Sequence, residues 1–169
     1  REVDFSPRLY IEKEDFAVVP PPKYKRLTPG GVVRLKGSYI IRATGYDEEN
    51  GEVKRVYAEV IEGSASGADS CGVKAKGVIH WVDAATAVDM TVNLYDSLLL
   101  PYDGVHEDFS ERLNPNSRVV LKAKGEKMLG ETAPLTSYQF VRTGYFCRDG
   151  KYEGVTFNQV VSLKDGYKK

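Results

Sequence analysis

Residues 30–61 read GGVVRLKGSYIIRATGYDEENGEVKRVYAEVI. Within them, Val32-Val33-Arg34-Leu35-Lys36 and Tyr39-Ile40-Ile41-Arg42-Ala43 largely alternate apolar and polar side chains. That is the period of a half-buried strand, not of a helix. Gly30-Gly31 and Gly37-Ser38 punctuate the runs as turns. After Glu49-Asn50-Gly51 the alternation resumes from Val53 to Ile61. Asn-Gly accepts the positive φ angles of a tight hairpin turn, so a hairpin is predicted here. On the first run Val33 and Leu35 are expected to turn inward, leaving Arg34 and Lys36 together on the opposite face.

The same pattern extends along the chain. Gly77–Val82 and Met90–Tyr95 are expected to make a further strand pair, followed by strands at Arg118–Ala123, Tyr138–Thr143, Gly144–Arg148 and Val155–Leu163. Eleven Tyr and frequent Val suit this β-rich reading. Helix signals are confined to single turns at Asp83–Ala87 and Asp108–Leu113, the second stopped by Asn114-Pro115. Gly63–Gly72 is a flexible loop by composition. The 169 residues therefore predict an all-β sandwich or pair of barrels, in one domain or two small ones.

Charge is unevenly distributed. Lys+Arg and Asp+Glu are equal at 24 each, yet Ala17–Tyr46 holds six basic residues and no acidic one. These are Lys23, Lys25, Arg26, Arg34, Lys36 and Arg42, with Tyr24 and Tyr39 interleaved. Asp47-Glu48-Glu49-Asn50-Gly51-Glu52 follows directly. A segregated positive segment in a neutral chain points to an anionic partner, and the tyrosines suit unstacked bases. Following Pro20-Pro21-Pro22, Lys25 and Arg26 are expected on an extended loop where both reach that partner.

Other chemistries find little support. His80 and His106 are the two histidines; there is no Gly-x-Ser-x-Gly, no metal-ligand spacing and no phosphate-binding glycine loop. His80, beside Trp81 in an apolar strand, reads as a structural histidine. Thr28-Pro29-Gly30-Gly31 is a turn. Asp103, Glu107, Asp108 and Glu111 offer carboxylates for acid–base work, but a solvated loop and helix face accounts for them more simply. Cys71 and Cys147 form neither a zinc motif nor a disulfide framework, which suits packing residues in a reducing, cytosolic setting. No apolar run approaches the roughly 18 residues of a membrane span. Beginning at Arg1 without a methionine, the chain is expected to be part of a longer polypeptide.

Several segments, in order, resemble the C-terminal anticodon-binding region of glutaminyl-tRNA synthetases, class I enzymes of the glutamyl/glutaminyl subfamily. They are Tyr24-Lys25-Arg26-Leu27, Val33-Arg34-Leu35-Lys36, Gly77-Val78-Ile79-His80-Trp81-Val82, Leu94-Tyr95-Asp96, Asn114-Pro115 and Gln139-Phe140-Val141-Arg142-Thr143-Gly144-Tyr145-Phe146-Cys147. Val3-x-Phe5-Ser6 and Phe157-Asn158 extend the match over essentially the whole of residues 1–169. The resemblance implies two tandem small β-barrels of the ribosomal-protein-L25-like kind, with terminal strands open to exchange between them. It also implies a role: gripping the anticodon loop of tRNA(Gln), as a monomer in the cytoplasm, for a catalytic domain in the same polypeptide that uses ATP and magnesium. The class I signatures His-Ile-Gly-His and Lys-Met-Ser-Lys-Ser are missing, so this chain alone is expected to need no cofactor and to bind tRNA without charging it.

Residue by residue, the resemblance gives Arg26, supported by Lys25, the third anticodon base. It gives Arg34 and Lys36 the first, and Gln139 and Arg142 the middle one. A further arginine of the middle-base pocket lies upstream of these motifs and is not included here, so that pocket is expected to be incomplete. Lys23 stands where the family has glutamine, and Lys36 where members can carry arginine, which forks onto phosphate and base edges as lysine does not. Gln139 and Arg142, three apart, fall on opposite faces of an ideal strand; a bulge or bend, or a place for Arg142 at the strand end before Thr143-Gly144, is needed to bring both to one pocket. Four phosphate-neutralising cations predict a log K against log salt slope of about −3. The alternatives are the equivalent region of a glutamyl-tRNA synthetase, an L25-like binder of ribosomal RNA, a protein-interaction β-module, and a stand-alone enzyme built on the acidic loop.

Overall fold

The computed structural model describes residues 2–102, 104–105 and 108–163. The chain divides into two compact units. The first runs from Phe5 to Val82; the second runs from Asp83 onward and takes in the N-terminal residues up to Asp4. The elements are β1 (Leu9–Tyr10), β2 (Val32–Leu35), β3 (Ile40–Glu49), β4 (Glu52–Val60), β5 (Val78–Ile79), β6 (Val82–Asp83), β7 (Val88–Tyr95), β8 (Arg118–Gly125), β9 (Ser137–Phe140), β10 (Gly144–Arg148) and β11 (Val155–Ser162). Short 3₁₀ turns lie at Lys13–Asp15, Phe109–Arg112 and Lys127–Glu131. The protein is all-β, and the strand orders are open: β4-β3-β2-β5 and β8-β7-β11-β10-β9, with β1 and β6 as a two-stranded ribbon.

In the first unit, β3 and β4 form the hairpin that Asn50-Gly51 announces, with φ of 53° and 77° at those residues. Positive φ at both central positions matches the right-handed twist of the flanking strands. β2 pairs antiparallel with β3 and parallel with β5. Its alternation reads out directly: Val33 and Leu35 are fully buried, with Leu27, Ile41, Ile79 and Trp81 among their neighbours in one core. Lys36 falls just past the end of β2, where its carbonyl accepts from Trp81 Nε1 at 3.1 Å.

In the second unit, β7 is paired along its whole length with β8 and lies parallel to β11. β10 joins β11 to β9. Phe146 and Phe157 are fully buried in its core with Met90, Val92 and Leu129. The opposite face of the sheet carries a polar network. Buried Asn93 donates to Asn158 Oδ1 at 2.7 Å and accepts from Arg118, and Asn158 in turn donates to Asp149.

Three sequence expectations change. Gly77–Val82 and Met90–Tyr95 do not pair with each other: the first contributes β5 beside β2, and the second is β7 between β8 and β11. Period-2 reading identifies a strand but carries no information on a non-local partner. Asp83–Ala87 is a turn, tied by Asp83 Oδ2 accepting from the Thr86 amide at 3.1 Å. Gly63–Gly72 is fastened to the first unit through Ser64, which is fully buried, accepts from the Ile40 amide at 2.9 Å and donates to the Ile61 carbonyl at 2.6 Å. Of the acidic loop, Asp108 caps the Phe109–Arg112 turn by accepting from the Ser110 amide. Asp103, His106 and Glu107 lie outside the described residues.

The β3–β4 hairpin carries a pH-sensitive contact. Glu52 accepts from both Lys13 and Lys54, and the lysine hydrogen bonds and charges bring its carboxyl down to about 2. A depressed folded-state pKa gives a contribution that is present above the ordinary carboxylate range and lost as pH falls through the folded value. Urea midpoints of Glu52→Gln and the parent should therefore differ above about pH 5 and converge on acidification toward about pH 2. A constant difference across that range would contradict the assignment.

Candidate nucleic-acid interface

The first-unit candidates sit on two adjoining stretches. Pro21-Pro22-Lys23-Tyr24 is a turn closed by the Tyr24 amide donating to the Pro21 carbonyl at 3.2 Å, with Lys23 at φ 64°. That is the third position of a type II turn, where glycine is usual and a lysine is strained. Three residues on, Leu27 is buried; its amide donates to the Asp15 carbonyl at 3.0 Å, and its carbonyl accepts from Ala17 at 3.1 Å. Lys25 and Arg26 lie between the turn and this anchor, as an extended segment should.

Gly77 fixes how closely that segment approaches β5. A Cβ at residue 77 would stand 1.6 Å from the Lys25 carbonyl oxygen, a distance no side chain tolerates. The Gly77 carbonyl in turn accepts from the Arg34 amide at 3.0 Å. The backbones of Lys25 and Arg34 are thus held on either side of one glycine.

The cations of the acid-free window divide by residue type once the chain is folded. Arg26 Nη1 lies 3.1 Å from Oδ1 of the fully buried Asp15 and donates to the Glu14 carbonyl at 3.1 Å. Arg34 Nη1 donates to the Ser38 and Ser64 carbonyls at 3.0 and 2.7 Å, and its Nη2 pairs with Asp69. Arg42 pairs with Glu59 at 2.9 Å. The fold therefore supplies each arginine with a carboxylate from outside Ala17–Tyr46. Lys23, Lys25 and Lys36 are exposed and have no ion-pair partner among the described residues. The net positive charge of the segment resides in these three lysines, and the salt slope expected from them alone is about −2 (roughly −0.7 per phosphate on a single strand).

The interleaved tyrosines are partly committed. Tyr24 donates its hydroxyl to the Glu14 carbonyl at 2.8 Å, and the Tyr39 ring packs 5.1 Å from Phe5.

In the second unit, Gln139 lies exposed on β9, paired with Tyr145 of β10. β9 ends at Phe140, and the Thr143 amide donates back to the Phe140 carbonyl at 2.9 Å. Arg142 is exposed in this turn at φ 71°. The conflict between the three-residue spacing and a regular strand is resolved by the turn: Arg142 is released from the strand's face alternation. Like Lys23, it is a long cation in a left-handed backbone position, a strain that recurs at functional sites. Phe140 stacks on Phe146 at 4.5 Å and 19°, tying this hairpin to the core.

Residue-level reading of the sequence missed Asp15, Asp69 and Gly77. Asp15 lies just before the acid-free window, and Gly77 opens the GVIHWV string; neither position announces a through-space partner. Among the described residues, no group of three His, Cys, Asp or Glu side chains lies close enough to hold a metal ion. No helix there is long and apolar enough to cross a membrane.

Two consecutive β units, with unpaired lysines on one and an exposed amide and guanidinium on a hairpin of the other, have the make-up of an RNA-recognition module. Two family models, each described as the anticodon-binding domain of class I tRNA synthetases (E and Q), match residues 1–61 and 78–149. The chain belongs to this family of anticodon-binding domains. Its curated relatives include the glutamine–tRNA ligase of Colwellia psychrerythraea, 43% identical over 100% of this chain and 32% of the relative. Those of Clostridium perfringens and Bordetella pertussis are 40% and 43% identical over 99% of this chain, covering 32% and 30% of their own lengths. The chain thus spans about a third of the length of the relatives it matches.

Proposed function

We propose that this chain is the anticodon-gripping part of a cytoplasmic, monomeric glutamine–tRNA ligase, holding the anticodon loop of tRNA(Gln) for a catalytic domain of the same polypeptide. The observation that carries the proposal is the sorting of charge by the fold. Three of the positions that the family motif assigns to RNA, or that flank them, are the lysines left exposed and unneutralised. Lys23, Lys25 and Lys36 act as point charges that draw in the phosphate backbone. Arg26 is anchored through Nη1 to Asp15 and Glu14, which leaves Nη2 and Nε as fixed donors for a base edge. Gln139 offers both a donor and an acceptor, the complement a pyrimidine's pairing edge requires.

The ATP and magnesium of aminoacylation belong on this reading to the catalytic domain. Free Cys71 and Cys147 suit the reducing compartment in which tRNA charging takes place.

The lysine assignment is tested by salt titration. Lys25→Ala and Lys36→Ala should each weaken binding of a tRNA(Gln) anticodon stem-loop and flatten the log K against log salt slope by about 0.7. They should do so nearly equally for stem-loops of different anticodon. A slope unchanged in both variants would contradict the phosphate role.

A further inference from the structure

Arg34 is the least solvent-accessible of the first unit's candidate readers, its side chain 21% exposed. Three acceptors surround its guanidinium: the Ser38 and Ser64 carbonyls on Nη1 and the Asp69 carboxylate on Nη2. Two of the three come from the 63–72 loop, which composition marks as flexible and which the structure holds in place. Ser64 is buried and doubly bonded, the Ser66 amide donates to the Ser38 carbonyl at 3.1 Å, and the Ser70 amide donates to the Gly63 carbonyl at 2.8 Å. Asp69 is itself fixed, because its Oδ1 accepts from the Cys71 amide at 3.1 Å while Oδ2 faces Arg34. Hydrogen bonding from Cys71, followed by the Arg34 contact, holds the Asp69 carboxyl below its ordinary range, so it is ionised at neutral pH.

This arrangement has two consequences for RNA. Asp69 cancels the charge of Arg34, which removes it from the attraction that draws in phosphates. It also immobilises a planar fork of donors, and a donor fixed in advance discriminates between base edges where a mobile one accommodates either. We infer that Asp69 is a positioning residue for anticodon reading: it holds the Arg34 guanidinium in one orientation, converting a general RNA-binding cation into a selective contact for the first anticodon nucleotide. The inference rests on the proposed function and adds a residue that contributes selectivity by lowering non-selective affinity.

Asp69→Asn is the informative variant. The amide oxygen retains the bond from the Cys71 amide and so preserves the loop turn, while the charge on Arg34 is released. Stem-loops differing only at the first anticodon nucleotide are titrated at two salt concentrations against the parent, Asp69→Asn, Arg34→Gln and the double variant, with urea unfolding measured alongside. The expected result for Asp69→Asn is a slope steeper by about 0.7, from one more cation available to phosphate. Non-cognate stem-loops should bind more tightly, and first-position discrimination should fall by about fivefold or more. In the Arg34→Gln background the same change should leave discrimination where it was, because the two residues act as one unit.

A uniform loss of affinity with unchanged slope and unchanged discrimination would reduce Asp69 to a loop-shaping residue and overturn the inference. So would an equal effect of Asp69→Asn with and without Arg34. A parent that does not distinguish anticodons at all would instead overturn the proposed function, a separate and recognisable failure.

Discussion

Gly77→Ala is expected to unfold the first unit at markedly lower urea concentration and to weaken RNA binding in the fraction that remains folded. The added methyl would sit 1.6 Å from the Lys25 carbonyl oxygen and 2.8 Å from its carbonyl carbon. Both are backbone atoms, so no rotamer change relieves the clash. Neither side has an easy retreat. β5 is two residues long and registers on Arg34 and Leu35, while the Lys25 segment is tethered at Leu27. Overpacking of this kind costs about 1–3 kcal/mol, and more where backbone must move; a loss of about 3 kcal/mol is expected. Trp81, the only tryptophan, lies in the same core and reports the transition by fluorescence.

Gly37→Ala is the control. Gly37 has φ 69° and nothing within 4 Å of its missing Cβ, so the cost there is conformational, on the order of 1 kcal/mol. Equal midpoints for Gly77→Ala and the parent would show that the Lys25 segment is not set by this contact.

Phe146→Ala should have the largest effect in the second unit. Phe146 is fully buried and stacks on Phe140, whose neighbours Gln139 and Arg142 are the unit's RNA candidates. Removing a buried aromatic ring costs about 3–5 kcal/mol, the range depending on how far the surroundings collapse into the gap. The loss reaches the site as well, because the stacked pair fastens β9 to the core and the β9–β10 turn orients Arg142. Hydrogen exchange of the β9 and β10 amides should accelerate along with the drop in unfolding midpoint. Gln139→Ala, an exposed change on the same strand, should leave stability within about 0.5 kcal/mol. A Phe146→Ala midpoint as little changed as that of Gln139→Ala would contradict the packing assigned to the ring.

Much of the fold was legible because it is local. Alternation around Val33 and Leu35 identified β2 and its buried face, and Asn50-Gly51 marked a hairpin by the backbone angles it permits. The parallel pairings of β2 with β5 and of β7 with β11 were not legible, since periodicity within a strand does not encode a partner dozens of residues away. GVIHWV was the hardest string. A nearly continuous apolar run shows no period, and it resolves into the short strands β5 and β6.

The site shows the same division. The acid-free window was visible in the sequence, and its lysines Lys23, Lys25 and Lys36 are exposed in the fold. The arginines are ion-paired, because Asp15, Asp69 and Glu59 arrive from outside the window through the fold. Charge read along a sequence carries no information on those carboxylates: of the six basic residues in the window, the fold pairs the three arginines and leaves three lysines without an ion-pair partner among the described residues.

The central claim is that this chain selects an anticodon, and a titration of the 169-residue protein with anticodon stem-loops differing only in the anticodon tests it most directly. Stem-loops carrying CUG or UUG should bind more tightly than those carrying CUC or UUC, by on the order of 1–3 kcal/mol for each discriminated base, with a salt slope of about −2 for all of them. Equal affinities across the anticodons would contradict anticodon recognition, and a preference for CUC or UUC would assign the chain to glutamate instead.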